Sequence, residues 1–263
     1  VRLPSLTLAF TDEERETLEV LLENGNHNGV PGLEIIGRDE ILAIEPTVNP
    51  DVKYALKAPT SGITEPYIIV YACIENAIKN GAEAKANQKV VKIEKLDDGY
   101  KVITQTDEFE TKIIVNAAGV YGDVIANMVS PGKYKIKERH GALMILENSQ
   151  GLDLKATLFP VPGKNSKGMA AIPAYAGNII LGSTSEEMFD KENHAFTKDQ
   201  SDMLFNSAAK LLPRIRRQDI IRVFTGLRPV EVNSNNDFII EEDRDNENFY
   251  NVIGIQSPGI AAS

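Results

Sequence analysis

An apolar strand that ends in a turn of very small residues and continues as a helix constrains this chain most strongly. Residues 113–123, IIVNAAGVYGD, contain an apolar run followed by Ala117, Ala118 and Gly119. Such a turn lets the backbone approach a phosphate closely, and the start of the following helix favours negative charge. The same turn is common in α/β proteins, so the segment predicts an α/β element and leaves ligand binding open.

Two helices and a hairpin are predicted around this segment. Residues 11–24 form a predicted helix, because Thr11 and the glutamate three residues later make a capping box and Gly25 supplies an end. Residues 64–80 show the clearest helical spacing of apolar side chains. The Asp-Asp-Gly sequence at residues 97–99 separates two strand-like runs and predicts a hairpin turn.

The pattern changes from Gly132 onward. Strand-like segments recur there around one predicted helix at residues 197–212, which indicates an antiparallel sheet with a helix. The last strand, at residues 251–255, is predicted to return to the first architecture. The chain is therefore expected to interleave an α/β part with an α+β part.

Charge and composition exclude several classes of protein. The formal net charge is −10, whereas a general nucleic-acid binder needs a basic surface. No apolar run approaches the roughly 20 residues of a membrane span, and no signal segment opens the chain. The single cysteine, Cys73, excludes an internal disulfide, fits a reducing cytoplasm and is predicted to be a core residue.

An arginine between a glycine and a proline is a candidate anion ligand. The strand-like run IIRVFTGLRPV, residues 220–230, ends with Gly226, Arg228 and Pro229, ahead of the next predicted strand. A fixed guanidinium suits bidentate capture of a carboxylate or phosphate. The alternative is a structural ion pair between Arg228 and Glu231 or Asp237, and the sequence leaves both interpretations open.

A second candidate pair precedes the strand GALMIL. Arg139, His140 and Gly141 stand just before it, and His140 could act as a general base or contact a ligand. A lone histidine is more often a surface or packing residue. No metal site is predicted, because the histidines and the cysteine lack zinc-like spacing. The acidic run at residues 241–245 predicts a solvated loop.

The end of the chain, NVIGIQSPGIAAS, predicts a strand, a turn and the start of a helix. Ser257 is the expected N-cap and Pro258 the first helical residue. The backbone N–H groups at such a start can face an anion or an electron-rich ligand. Since the sequence stops at Ser263 and begins at Val1 without a methionine, we expect it to be a piece of a longer polypeptide.

Taken in order, these segments resemble the FAD-dependent oxidoreductases of the D-amino-acid oxidase superfamily, and among them the FAD-dependent glycerol-3-phosphate dehydrogenases of the anaerobic type. The segments that carry the resemblance are NGVPGLEII, APTSGITEP, KVVKIE, VNAAGVYGD, RHGALMIL, FPVPGKNSKGMAAIPAYAGNIILGST, FTGLRPV, DFIIEE and NVIGIQSPGIAAS. Such enzymes open with a strand–GxGxxG–helix that binds the FAD pyrophosphate, and this sequence lacks one. The resemblance therefore implies that roughly a hundred residues precede Val1 in the full-length protein.

The resemblance also implies a fold and its division. The expected fold is mixed α/β and α+β, with a partial FAD-binding, Rossmann-like domain interleaved with an antiparallel-sheet substrate domain. FAD is expected in the full-length protein, and this fragment is not expected to retain it tightly. The predicted substrate-binding domain covers residues 1–62 and 132–246, and the predicted partial FAD-binding domain covers residues 63–131 and 247–263.

Roles for single residues follow from the same resemblance. Cofactor contacts are implied for Val90, Ala117, Ala118, Gly119, Gly254, Ser257, Pro258, Gly259 and Ile260. Arg228 resembles the arginine that holds the anionic group of the substrate, and Arg139 is a second predicted substrate ligand. The subfamily often has Arg-Arg-Gly-Glu-Tyr where this chain has Arg-His-Gly-Ala-Leu at residues 139–143, which leaves the substrate open.

The implied reaction is oxidation of sn-glycerol 3-phosphate to dihydroxyacetone phosphate by hydride transfer to FAD, with His140 as the base. One alternative keeps the superfamily and changes the substrate to L-2-hydroxyglutarate or another 2-hydroxy or amino acid. Another is a flavin-free binding module. The electron acceptor is left open among quinone, oxygen and a partner subunit. A cytoplasmic location is expected, with attachment to the inner membrane through a partner also open.

Overall fold

The structure is a computed structural model that describes residues 1–149, 151–163, 169–174 and 176–262. Residues 164–168 and 175, part of the segment quoted from Phe159 to Thr184, lie outside the described residues. The strands are β1 Ser5–Ala9, β2 Glu34–Gly37, β3 Tyr54–Ala58, β4 Val90–Leu96, β5 Gly99–Thr104, β6 Glu108–Thr111, β7 Ile114–Asn116, β8 Ile136–Leu146, β9 Thr157–Pro160, β10 Ala170–Pro173, β11 Ile179–Gly182, β12 Glu186–Met188, β13 Ile220–Glu231, β14 Ile239–Glu242 and β15 Phe249–Ile253. The helices are α1 Asp12–His27, α2 Arg38–Ile44, α3 Pro66–Lys79, α4 Gly122–Ala126, α5 Lys198–Leu211 and α6 Gly259–Ala262, with short 3-10 helices at Gly119–Tyr121 and Arg217–Asp219.

Two compact units divide the chain. The first contains Val1–Glu65, Gly141–Ser185 and Ala195–Thr225, and the second contains Pro66–His140, Glu186–His194 and the chain from Gly226 onward. The division crosses the two long strands β8 and β13, which pair with each other. Residues 132–140 and 226–246, predicted to belong to the substrate-binding domain, therefore fall in the unit that also holds residues 66–131.

A mixed sheet forms the first unit. Its strands run in the order β8-β11-β10-β9-β1-β3-β2. Neighbours are antiparallel except β1 and β9, which are parallel with Ser5 opposite Thr157. The predicted antiparallel sheet thus includes N-terminal strands and one parallel pair. Leu204 and Leu211 of α5 share a hydrophobic cluster with Met144 of β8, so burial of apolar side chains stabilises this unit.

Capping boxes set the starts of two helices, as the sequence predicts. The hydroxyl of Thr11 accepts the Glu14 N–H at 3.2 Å, and the Glu14 carboxylate accepts the Thr11 N–H at 3.3 Å. Thr197 and Gln200 cap α5 in the same way. Helix α1 continues past Gly25 to His27, because its backbone hydrogen bonds continue beyond the glycine.

The second unit contains two small sheets. In the sheet β14-β15-β7, strands β15 and β7 are parallel, with Phe249 opposite Ile114. In the sheet β4-β5-β6, the predicted hairpin is confirmed, with Leu96 opposite Gly99. The predicted single strand at residues 109–119 is two strands, β6 and β7, which belong to different sheets. Strand β12 pairs with the first half of β8.

Helix α3 exposes apolar side chains around its whole circumference. None of its residues is buried, and Tyr67, Val70 and Ile78 are each at least 50% exposed. Cys73 is exposed as well, so its prediction as a core residue was wrong. Helical spacing of apolar residues predicts the helix but cannot say what covers it. A helix that is hydrophobic on all sides is normally buried.

One residue of the acidic run at 241–245 is buried, so the predicted solvated loop was wrong. The Asp243 carboxylate accepts hydrogen bonds from Ser130 Oγ at 2.9 Å, Lys133 Nζ at 3.1 Å and Asn246 Nδ2 at 3.0 Å. Burial raises the pKa of this carboxyl, but these donors and a backbone N–H two residues on lower it to about 2. A run of charges in sequence does not reveal which one faces inward.

No helix in the described part of the chain is both long and apolar enough to cross a membrane. Within the same residues, no group of three or more His, Cys, Asp or Glu side chains could hold a metal ion.

Candidate functional site

Every predicted site residue lies in the second unit. The predicted substrate-binding and cofactor-binding residues therefore belong to one compact unit. Four parts of this unit carry them: the start of β4 at Val90, the turn after β7, the turn after β15, and the paired strands β8 and β13.

The predicted phosphate-approach turn follows β7 directly. Ala117 and Ala118 lead into Gly119, whose φ of 58° is a left-handed conformation that favours glycine. Asn116, the last residue of β7, braces this turn. Its Nδ2 donates to the Gly122 carbonyl at 2.8 Å, and its Oδ1 accepts the Ala118 N–H at 3.4 Å. The small residues and the amide together fix the backbone of the turn.

A buried amide pair joins the parallel strands beneath this turn. Asn116 and Asn251 lie opposite each other in β7 and β15, and Asn116 Nδ2 donates to Asn251 Oδ1 at 2.9 Å. Their exposed fractions are 3% and 0%. The sequence analysis missed both residues. The available signal was an asparagine at the end of an apolar strand, directly before the small-residue turn.

A cavity of about 530 Å³ lies beside the same turn. Its lining includes three predicted cofactor residues, Val90, Ala117 and Ala118, and two residues that were not predicted, Lys89 and Tyr121. Most of the other lining side chains are apolar. Apolar walls, close backbone and one nearby ammonium group suit part of a nucleotide cofactor. These residues therefore fit one portion of FAD.

The turn after β15 also brings backbone into close approach. Gly254 has a φ of 72°, and a Cβ added at Gly259 would lie 2.7 Å from Cγ2 of Ile255. The Gly259 N–H donates to the Gln256 carbonyl at 2.6 Å. Helix α6 begins at Gly259, one residue after the predicted start at Pro258. The predicted cofactor residues with exposed side chains in this turn are Ser257, Pro258 and Ile260.

The Arg139 side chain is held by three acceptors. Its Nη1 donates to Gln256 Oε1 at 3.0 Å, and its Nη2 donates to Asn236 Oδ1 at 2.7 Å and to Glu187 Oε1 at 3.0 Å. Hydrogen bonds from Lys137 and Arg139 lower the pKa of the Glu187 carboxyl. Arg139 therefore faces a carboxylate and is tied to the turn after β15. It lies within β8 and not, as predicted, before a strand.

Arg228 lies within β13, which matches the predicted strand-like run at residues 220–230. Its Nε donates to the Arg139 carbonyl at 3.4 Å. Burial lowers the pKa of the Arg228 guanidinium, and the charge of Arg139 lowers it further. A bound anion would relieve both effects. Of the predicted alternative partners, Glu231 accepts the Asn233 N–H at 2.7 Å and Asp237 accepts a neighbouring backbone N–H at 2.8 Å.

His140 lies in the middle of β8 and is fully buried. Neither of its ring nitrogens has a hydrogen-bond partner among the described residues. Glu138 shares the buried face of the strand, and its Oε1 accepts Lys191 Nζ at 2.8 Å. Successive side chains of a strand point to opposite faces. The structure therefore does not bring His140 together with Arg139, and a role as base stays a prediction.

Comparisons with known proteins identify the family and the fold of the chain. The model of the FAD dependent oxidoreductase family (DAO) matches residues 1–263. A glycerol 3-phosphate dehydrogenase of Caloramator mitchellensis is 38% identical over 262 residues, which cover 100% of this chain and 54% of that protein. A glycerol 3-phosphate oxidase of Mycoplasma pneumoniae is 31% identical over 269 residues, which cover 100% of this chain and 70% of that protein.

A solved structure shows the same fold. The dithionite-reduced L-alpha-glycerophosphate oxidase of Mycoplasma pneumoniae, with FAD bound, matches with a TM-score of 0.92 and 30% identity, over 99% of this chain and 70% of that one. The chain thus spans about half the length of the Caloramator relative. The expected mixed fold and the expected superfamily are confirmed. This chain belongs to the FAD dependent oxidoreductase family.

Proposed function

We propose that this chain is the substrate-facing part, with part of the FAD site, of an enzyme that oxidises sn-glycerol 3-phosphate to dihydroxyacetone phosphate. The observation that carries the proposal is the desolvated guanidinium of Arg228, which lies against Arg139, itself hydrogen-bonded to the turn after β15. A half-buried guanidinium is thus linked through Arg139 to the turn that the family resemblance assigns to the flavin. The names of the relatives supply the choice of glycerol 3-phosphate.

In this proposal the residues of the chain bind and orient the substrate. When bound, FAD would accept the hydride that leaves the carbinol carbon of the substrate. Arg228 binds the phosphate, and its planar guanidinium restricts the orientation of the rest of the molecule. The hydroxyl proton must pass to a base as the C–H bond breaks. His140 is the predicted base, and its complete burial argues against direct contact with a substrate.

We also propose that polypeptide outside this chain completes the cofactor site. Apolar helix α3 is uncovered, and so is one face of the sheet β14-β15-β7, where Ile240 is 70% and Val115 61% exposed. Sheets with parallel strands are normally covered on both faces. A further α/β segment packed on these surfaces would bury them and close the cavity. FAD is then expected to bind weakly to this chain alone.

The first test uses the full-length protein, purified and examined for flavin absorbance. It is then mixed anaerobically with sn-glycerol 3-phosphate, and with glycerol as the control that lacks the phosphate. Loss of the flavin band with the phosphate ester alone supports the proposal. A yellow protein that is reduced by L-2-hydroxyglutarate or an amino acid, and not by the phosphate ester, would move the substrate to that class. A protein that takes up no FAD would be a flavin-free binding module.

Substitution of Arg228 tests its assignment. Arg228→Gln should raise KM for the phosphate ester by roughly tenfold or more, since a charge-assisted bidentate contact is lost, and should leave FAD content unchanged. Arg222→Gln is the matched control, because Arg222 lies on the same strand with an exposed side chain. Loss of FAD together with activity in Arg228→Gln would contradict a role in substrate binding.

The electron acceptor belongs to the full-length protein. Quinone, oxygen and a partner subunit each remain compatible with the proposal. Oxygen consumption by the reduced enzyme separates an oxidase from a dehydrogenase that needs a quinone or a partner. The cytoplasmic location remains a prediction from the sequence.

A further inference from the structure

The terminal nitrogens of Arg139 already donate hydrogen bonds to other residues of the protein. These two nitrogens donate to Gln256, Asn236 and Glu187 over distances of 3.0, 2.7 and 3.0 Å. A substrate anion that bound this guanidinium would have to displace one of these acceptors. Of these acceptors Gln256 is buried, so an anion that displaced it would leave a buried acceptor without its donor, which costs free energy.

The same contacts form a closed ring of three residues. Gln256 Nε2 donates to the main-chain carbonyl of Asn236 at 3.0 Å, so Arg139, Asn236 and Gln256 are each bonded to the other two. Gln256 is only 8% exposed, and its own carbonyl accepts the Gly259 N–H at 2.6 Å. The ring therefore fixes the residue on which the turn after β15 is built.

Arg139 and Arg228 also differ in their charged neighbours. Glu187 faces Arg139 and Lys137, and these two groups lower the pKa of its carboxyl. Arg139 is thus largely compensated by a carboxylate. Arg228 lies half-buried against the Arg139 main chain, and burial and the charge of Arg139 lower the pKa of its guanidinium.

We propose that Arg139 is a positioning residue, which holds the turn after β15 in its cofactor-facing geometry through Gln256 and Asn236, and that it is not a substrate ligand. This inference rests on the function proposed above. Arg139 and Arg228, both predicted as substrate ligands, then have different roles. Arg228 binds the substrate, and Arg139 holds the turn next to which the flavin would lie. Arg139 acts through Gln256 and touches no reacting atom.

The test is made on the full-length, FAD-loaded protein with Arg139→Gln and with Arg222→Gln as the control. The readouts are the FAD dissociation constant, the flavin absorbance spectrum, the flavin midpoint potential from reductive titration with dithionite, and KM. Arg139→Gln should weaken FAD binding by roughly tenfold, the value of one lost charge-assisted hydrogen bond, and should shift the spectrum and potential. KM for the phosphate ester should stay within about twofold of the wild type. Arg222→Gln should change none of these.

A second variant covers the case in which Arg139→Gln does not fold. Asn236→Gly keeps the left-handed backbone at this position, where φ is 66°, and removes the acceptor for Arg139. It should reproduce the weaker FAD binding. A raised KM with unchanged FAD affinity in Arg139→Gln would overturn the inference, and so would unchanged values in both variants. If the wild-type protein binds no FAD, the proposed function fails and this inference fails with it.

Discussion

At the scale of the residue, Arg139 and His140 show how neighbours in sequence are separated in space. They were predicted together at the start of a strand, where both could have faced one site. The strand begins earlier, at Ile136, so alternation turns Arg139 to the ring with Gln256 and His140 into the interior. A shift of a few residues in the predicted strand boundary thus changes which side chains can meet.

His140→Met is expected to preserve turnover in the full-length enzyme within about threefold, because a general base would be worth roughly 10²–10⁴. The free energy of unfolding should rise by about 1 kcal/mol, since two buried ring nitrogens without partners among the described residues are removed. Steady-state kinetics and chemical denaturation measure both. The control is His27→Met, whose side chain is exposed. A hundredfold loss of turnover in a folded His140→Met protein would identify His140 as the base.

Asp243 sets a pH dependence of stability. Its folded pKa of about 2 lies below the ordinary value of 3.8, so its contribution is complete above pH 3.8 and is lost as the pH falls through about 2. Asp243→Asn should lower the free energy of unfolding at pH 7 by about 1–3 kcal/mol, because an amide nitrogen would face donors. The difference from the wild type should shrink as the pH approaches 2.

Chemical denaturation between pH 2 and pH 7 measures this difference, with Asp98→Asn as the control. The Asp98 side chain is 82% exposed, so its replacement should change stability little at any pH. A difference between wild type and Asp243→Asn that stays constant down to the lowest pH would contradict the assigned network.

At the scale of the element, the turn after β7 depends on the strand that precedes it. Asn116→Ala removes the bonds to the Gly122 carbonyl and to Asn251. We expect FAD affinity of the full-length protein to fall by roughly tenfold, because the backbone next to the cavity is no longer braced. Titration with FAD, followed by flavin fluorescence, measures the change. The control Asn206→Ala changes an exposed asparagine of α5, and equal losses in both variants would contradict the bracing role.

Local rules predicted the elements whose cause is local. The capping residue Thr11, the hairpin before Gly99 and the small-residue turn after Asn116 were all visible in the sequence. β13 was visible as well, as the strand-like run at residues 220–230, although Gly226 and Pro229 look like breaks. They lie inside the strand, since pairing with β8 continues past them. Such pairing joins residues far apart in sequence, and no local pattern reports it.

At the scale of the whole molecule, the family and the mixed fold could be predicted, and the division into a substrate-binding and an FAD-binding domain stays a prediction. The fold followed from an ordered set of segments along nearly the entire sequence. The boundaries between the two compact units lie within β8 and within β13. The strands that pair with each half of β8 or β13 decide to which unit that half belongs. That information lies in long-range contacts and not in the composition of any segment.

The uncovered apolar surfaces predict how this chain behaves alone. Helix α3 and the exposed face of the sheet β14-β15-β7 should bind a hydrophobic dye and promote self-association. The full-length protein should do neither, because the proposed additional segment buries them. Dye fluorescence and sedimentation of the two proteins test this. Equal dye binding by both would show that α3 stays uncovered.

The position of the sole cysteine has a practical consequence. Cys73 is exposed on α3, on the surface that the proposed segment would cover. A thiol reagent therefore modifies one defined atom of this chain. The rate at which the Cys73 thiol reacts would report how far the covering segment has packed on α3. During synthesis on the ribosome, or during refolding, the moment at which the thiol becomes protected would mark when the two halves of the cofactor site come together.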